Sequence, residues 1–262
     1  MTRRSIIALA VAALSVAAFA PRASAQHLHT NHRWDECAIV LDPELTPDAW
    51  RQFVSELGIV AYFRPMASAK PLGRRNFEIG LLDWSTQIDD ADDAWNHTFS
   101  HPDSTHYLFE GSALHIPGLA ARVGVTDRID VGLYFTKNTN SNYGFVGGQV
   151  QYSLPVDRER RLSAAGRLSV VRLFGPDDVK ASTYGLDVLV SREIWRLEPY
   201  AGVSGYMARG KETTTKVDLD AETAFGAQAT VGVAARVSVL RLAAEYHAAR
   251  VPGVSMKVAL GN

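Results

Sequence analysis

The sequence predicts an all-β fold, an antiparallel up-and-down transmembrane β-barrel of about ten strands with one short N-terminal helix. Three observations predict it. Apolar and polar residues alternate through most of residues 124–260, and in the final segment Val254, Met256, Val258 and Leu260 share one face while Ser255, Lys257 and Ala259 share the other. A period of two describes a strand with one apolar and one polar side. Such segments follow one another as hairpins behind an export-type N-terminus, the arrangement of a barrel with lipid outside and charge in the lumen. The connections also alternate in length along the chain, short and long in turn.

Residues 1–25 read as a cleaved signal peptide. Arg3 and Arg4 form a basic start, residues 6–20 an apolar stretch, and Ala23, Ser24 and Ala25 a small-residue cleavage signal, so cutting is expected after Ala25. The apolar stretch is short for a membrane-spanning helix, which needs about 20 residues. Residues 2–7 brush the twin-arginine export pattern without its usual phenylalanine and lysine. The general secretory route is expected, because a barrel travels unfolded. Cys37 is the only cysteine, which excludes a disulfide framework, and Trp34, Asp35 and Glu36 before it do not make a lipidation signal.

Residues 26–57 form a leader and a helix. Thr46 is placed to cap, Pro47 to occupy the first helical position and Asp48 to sit in the first turn; Trp50, Phe53, Val54 and Leu57 then recur at helical spacing, and Gly58 is expected to stop the helix. Three placements are open to it: plugging the lumen, lying on the periplasmic rim, or resting at the membrane interface.

The barrel is assigned to residues 58–262. Candidate strands are 59–64, 76–87, 113–125, 129–137, 143–154, 162–174, 181–190, 197–208, 224–237, 240–249 and 254–260. That is an odd count, whereas bacterial single-chain barrels have even numbers. Ten results if 59–64 does not span, and twelve if a strand near 38–41 is added; ten is the expectation. Pro117 marks a bulge or an edge position. Phe135, Tyr143, Tyr152, Phe174, Tyr184, Trp195 and Tyr200 fall towards strand ends, as interfacial girdles do. With the C-terminus in the periplasm, the turns near 126–128, 155–160, 191–195 and 238 face that side, and the longer connections 89–112 and 210–220 face outward.

Function must then come from the polar faces. Asp130, Arg167, Asp187, Arg236, Arg241, Glu245, His247 and Lys257 fall opposite the apolar stripe or in positions consistent with that side. Both signs of charge in a barrel of about ten strands predict a lumen filled by ion-paired side chains, with a selective path for a small charged solute as the sharper alternative. The histidines of the leader (His27, His29, His32) and of the long loop (His97, His101, His106) sit on no regular element that would fix ligand geometry, and the acidic run 89–93 lacks the EF-hand glycine. No metal and no cofactor is expected. The formal net charge of −1 gives no case for nucleic acid. Enzyme activity is not expected: Glu245, His247 and Ser255 are the only suggestive acid, base and hydroxyl, they point to the lumen, and no GxSxG, phosphate loop or HExxH motif occurs.

The signal peptide and the hairpin series over 76–260 resemble the outer-membrane β-barrel proteins of Gram-negative bacteria, including uncharacterised porin-like families. The resemblance implies an outer-membrane location, outer-membrane lipids as surroundings, insertion by the barrel-assembly machinery, and a structural or narrow-transport role. Such proteins commonly end in an aromatic residue, whereas this chain ends Leu260, Gly261, Asn262. Two alternatives remain: a soluble periplasmic barrel holding an apolar ligand, with every face inverted, and a lipid-modifying barrel enzyme.

Overall fold

The computed structural model describes residues 38–89, 91–100, 109–110, 113–137 and 141–262. The expected signal peptide, the leader histidines, Cys37, His101 and His106 lie outside the described residues. In chain order the elements are β1 (Ala38–Ile39), α1 (Pro47–Val60), β2 (Phe77–Gln87), α2 (Asp93–Asn96), β3 (Phe99–Ser100), β4 (Phe109–Glu110), β5 (Ala113–Gly124), β6 (Ile129–Lys137), β7 (Gly144–Asp157), β8 (Leu162–Phe174), β9 (Val179–Arg192), β10 (Leu197–Glu212), β11 (Glu222–Val237), β12 (Leu240–Ala248) and β13 (Gly253–Gly261).

Among the described residues, ten strands make the barrel. β5 to β13 pair each with the next, and β2 joins β5 on one side and β13 on the other, so the sheet closes with every pairing antiparallel. Closure leaves the ten barrel strands without an open edge between them. The candidate strand at 59–64 is instead the end of α1 and an extended chain, and the strand near Ala38 is a two-residue pairing with β3 outside the barrel. Ten is therefore the count.

The alternation resolves as an apolar outer side and a lumen-facing side. On β13, Val254, Met256, Val258 and Leu260 are exposed on the outside while Ser255, Lys257 and Ala259 are buried within. β9 repeats this, with Tyr184, Leu186, Val188 and Val190 outside and Thr183, Asp187, Leu189 and Ser191 buried within. A water-facing barrel would carry the opposite polarity, so the apolar-ligand alternative fails on orientation. Near the end of β2 that leads into the long loop the outer face turns polar, where Asp83 Oδ2 lies 3.3 Å from His115 Nδ1.

Proline tolerance follows local pairing. Pro117 lies opposite Asp83 in an unbroken β2–β5 register, while the β5–β6 ladder begins only at Leu119. Its missing N–H thus falls where β5 has no β6 partner. Pro155 sits beside the one register shift of the β7–β8 pairing, between Pro155 and Asp157. Of the expected girdle aromatics, Phe135, Tyr152, Tyr184 and Trp195 are exposed outside, and Phe135 stacks on Phe174 with centroids 5.4 Å apart. Tyr143 and Tyr200 are a correction, since both are buried. Tyr200 shares the lumen phase of β10, where its hydroxyl donates to Glu245 at 2.6 Å, and Tyr143 packs edge-on under Phe99 with centroids 5.8 Å apart.

One end of the barrel carries the short turns at 125–128, 158–161, 193–196 and 238–239, and the other the connections 88–112, 138–143, 175–178, 213–221 and 249–252. Helix α1 caps the long-loop end. Thr46 Oγ1 accepts from Ala49 N at 3.3 Å, Pro47 starts the helix, and the apolar stripe of Trp50, Phe53, Val54 and Leu57 is buried. The helix does not stop at Gly58 but runs to Val60, with Ala61 as its C-cap. Gly58 has a different task. A Cβ there would lie 2.6 Å from Ala208 Cβ and 2.8 Å from the Tyr206 ring, so glycine permits the helix to rest directly on β10. Gly58→Val is expected to cost about 1–3 kcal/mol by overpacking, measured as a lower urea midpoint in detergent micelles.

The four-residue α2 seats the long loop on α1. Trp95 Nε1 donates to Glu56 Oε2 at 2.6 Å, Arg250 Nε lies 3.2 Å from Glu56 Oε1, and Phe53 meets Trp95 edge-on with centroids 5.1 Å apart. Asp92, in the acidic run, caps α2 through Ala94 N at 3.1 Å and accepts from Gln52 Nε2 at 2.7 Å.

Candidate functional site: the occupied lumen

From the cap, residues 61–76 run through the lumen to the short-turn end, where β2 begins. These residues have no strand partners of their own, and Pro65 O, Ala67 O, Ser68 O and Leu72 N bond side chains on the barrel wall instead. At the upper level Trp84 Nε1 donates to Val60 O at 3.1 Å. Arg64 lies over the Trp84 ring at 5.5 Å and donates to Ile59 O at 2.9 Å. Phe63 packs on Tyr134 with centroids 4.9 Å apart. Here the wall supplies room as well as contacts. A Cβ at Gly185 would lie 2.7 Å from the Tyr62 ring and hydroxyl, so the barrel is narrowed to glycine where the threaded tyrosine passes.

At mid-height, charged wall residues hold the segment. Asp187 accepts from Tyr62 Oη at 2.9 Å and from Ser204 Oγ at 2.5 Å. Arg167 donates to Gln151 Oε1 at 2.7 Å, to Ser68 O at 3.3 Å and to Ala67 O. Lys257 Nζ donates to Pro65 O and to Glu78 Oε1, each at 2.7 Å. Lower down, Leu72 N donates to both oxygens of Asp130 at 3.2 and 3.0 Å, and Lys70 bonds Glu193 in the β9–β10 turn.

The structure places the eight charged residues chosen from sequence on the lumen side. Asp130, Arg167, Asp187, Glu245, His247 and Lys257 are buried there, and Arg236 and Arg241 reach solvent at the short-turn mouth. Three of them, Asp130, Arg167 and Lys257, bond the backbone of the threaded segment. Glu78 and Arg122 were missed, although both stand in the lumen phase of their strands. Their nitrogen–oxygen distance is 3.4 Å, and Arg122 is 3.9 Å from Asp130.

Glu245, His247 and Ser255 do converge, but not as a catalytic relay. Glu245 Oε2 and Ser255 Oγ approach the same nitrogen, His247 Nε2, at 3.2 and 3.1 Å, and Thr230 Oγ1 meets Nδ1 at 3.1 Å. A relay needs the acid on one ring nitrogen and the nucleophile on the other. The adjoining central cavity measures about 20 Å³. That is room for about one water molecule. Among the described residues no group of three or more His, Cys, Asp or Glu side chains is placed to hold a metal ion.

Lys70 ties the lower end of the segment to the barrel by an exposed link. Its hydrogen bond and charge hold the Glu193 carboxyl below the ordinary carboxylate range. A carboxyl depressed in the folded state contributes stability above its ordinary pKa and loses it as pH falls through the lowered value. Acid titration of the unfolding midpoint is expected to show this loss below the ordinary carboxylate range. Glu193→Gln should flatten that part of the profile.

No protein-family model matches the chain, and no curated protein matches its sequence. Solved structures resemble it in architecture. An outer membrane channel from Pseudomonas putida F1 is 10% identical, with 77% of this chain and 100% of that one covered and a TM-score of 0.46. The attachment invasion locus protein of Yersinia pestis is 10% identical over 72% of this chain and 97% of that one, at a TM-score of 0.32. LpxR from Salmonella typhimurium is 10% identical over 71% of this chain and 99% of that one, at 0.37. At this identity the likeness is one of fold alone.

Proposed function

We propose that this protein is an integral outer-membrane barrel whose own N-terminal segment fills its lumen, and that its role is structural, presenting a helix-capped face and long loops on one side of the membrane. The observation that carries this reading is the threading of residues 61–76, bonded by Asp130, Arg167 and Lys257, with a central cavity of about 20 Å³. Short turns on the periplasmic side would put α1 and the long loops outside. Outer-membrane lipids would surround the apolar band, and the barrel-assembly machinery would insert it.

Narrow transport of a small charged solute is the second reading, favoured by the solvent-reaching Arg236 and Arg241 at the mouth. It requires the segment to move. Purified protein in planar bilayers separates the two. The filled barrel should give no discrete conductance steps, and sustained steps from the intact chain would exclude it. Recovery in the soluble periplasm without heat-modifiable migration would remove both readings.

A further inference from the structure

At the short-turn mouth, between residues 66–72 of the threaded segment and the β11–β12 wall, lies a second cavity of about 90 Å³. This is several times the minimum for one water and is open to a small ion. Its lining is unbalanced: Lys70, Arg122, Arg236, Arg241 and Lys257 stand against the carboxylates of Glu78 and Glu198. Of these cations, Lys257 is matched by Glu78, and Lys70 by Glu193 and by Glu198 at 3.8 Å. Arg122 shares Glu78 and lies beside Asp130, whereas neither Arg236 nor Arg241 has a side-chain carboxylate at ion-pair distance among the described residues.

Arg236 and Arg241 are direct cross-strand partners in the β11–β12 register, and both line the cavity. Like charges placed directly opposite each other on one face repel. Arg241 donates to Asn262 O, on the last residue of the sequence, at 2.7 Å and to the Ser238 carbonyl at 3.5 Å. The Arg236 side chain forms no hydrogen bond or ion pair among the described residues. Arg122 is 91% buried, the complement of its 9% exposure. Its Nε and Nη1 find no hydrogen-bond acceptor, though Glu78 and Asp130 lie at 3.4 and 3.9 Å. Buried donors without acceptors, beside paired guanidinium groups at a solvent-open cavity, are the complement of a multivalent oxyanion. Guanidinium groups bind such oxygens with two parallel donors each.

We propose that this mouth cavity binds a small phosphate-class anion, taken from solution on the short-turn side and held between Arg236 and Arg241, with Arg122 behind them. The site lies inside the barrel wall, so a dissolved phosphate or phosphorylated solute reaches it and a bilayer headgroup outside the barrel does not. The inference is independent of whether the barrel conducts.

The test uses the full chain in zwitterionic detergent, with inorganic phosphate and pyrophosphate as probes and sodium chloride at matched ionic strength as control. Ligand that binds only the folded form raises the unfolding midpoint. A saturable rise is expected with both probes, larger for pyrophosphate, and at least ten-fold weaker binding in Arg236→Gln. Arg236→Glu is the sharper variant, because it replaces the repulsion with an ion pair to Arg241. Its ligand-free midpoint should rise while its response to phosphate vanishes. No rise beyond chloride in the native chain, or a full response in Arg236→Glu, overturns the site. A ligand-free midpoint unchanged or lowered in Arg236→Glu removes the repulsion on which the site rests. Anionic-lipid mixed micelles that compete phosphate away would reassign the site to a headgroup and overturn the dissolved source.

Discussion

Replacing Arg167 by alanine is expected to cost about 3–5 kcal/mol of barrel stability, the range for breaking a buried charge arrangement by deleting one partner. Arg167 stands directly opposite Asp187 in the β8–β9 register, and both are buried. Removing the guanidinium leaves Asp187 with the hydroxyls of Tyr62 and Ser204 and no opposing cation on its neighbouring strand. It also strips a donor from Gln151 Oε1 and from the carbonyls of Ala67 and Ser68. Two controls separate charge from shape. Arg167→Lys keeps the charge but not the planar fork, so it should fall between native and alanine. Adding Asp187→Asn to Arg167→Ala removes the orphaned charge and should recover part of the loss as a non-additive term. Urea titration in detergent micelles measures all three. A cost under about 1 kcal/mol would mean that water replaces the arginine freely, and the threaded segment would then not be seated as described.

The barrel itself was legible because its code is local. Along β13 and β9 the inward and outward residues simply alternate, so Lys257 and Asp187 could be placed inside from their neighbours alone. The same rule should have yielded Glu78, between the outward Phe77 and Ile79, and Arg122, between Ala121 and Val123. Tyr200 was assigned to a girdle because it is aromatic, although its phase on β10 already pointed it at the lumen. Phase was the better guide there.

The threaded segment was not legible. Residues 61–69 carry no period, because an extended chain enclosed on all sides has no solvent face to alternate against. Wall partners of the segment lie as far as 58 and 192 positions away, in the pairs Leu72–Asp130 and Lys257–Pro65. Ile59 to Arg64 consequently resembled a short strand. Gly58 resembled a helix stop, since a glycine chosen for contact with Ala208 and one chosen for a left-handed backbone look alike in sequence. What separates them is tertiary approach.

Leu186→Arg tests the outer face as Arg167 tests the inner one. Leu186 lies midway along β9, is 55% exposed, and is flanked on the outer phase by Tyr184 and Val188. In water, a surface leucine changed to arginine usually alters stability by no more than about 0.5 kcal/mol. At a bilayer midplane the same change costs about 2–4 kcal/mol, because the charge must be taken into hydrocarbon. The medium around the barrel therefore sets the result. Folding into lipid vesicles should show the larger penalty at Leu186, and a smaller one at Val190, nearer the short-turn end, where an arginine can snorkel towards the interface. Equal, negligible penalties at both positions would mean that this face meets water, and the outer-membrane reading would fall with it.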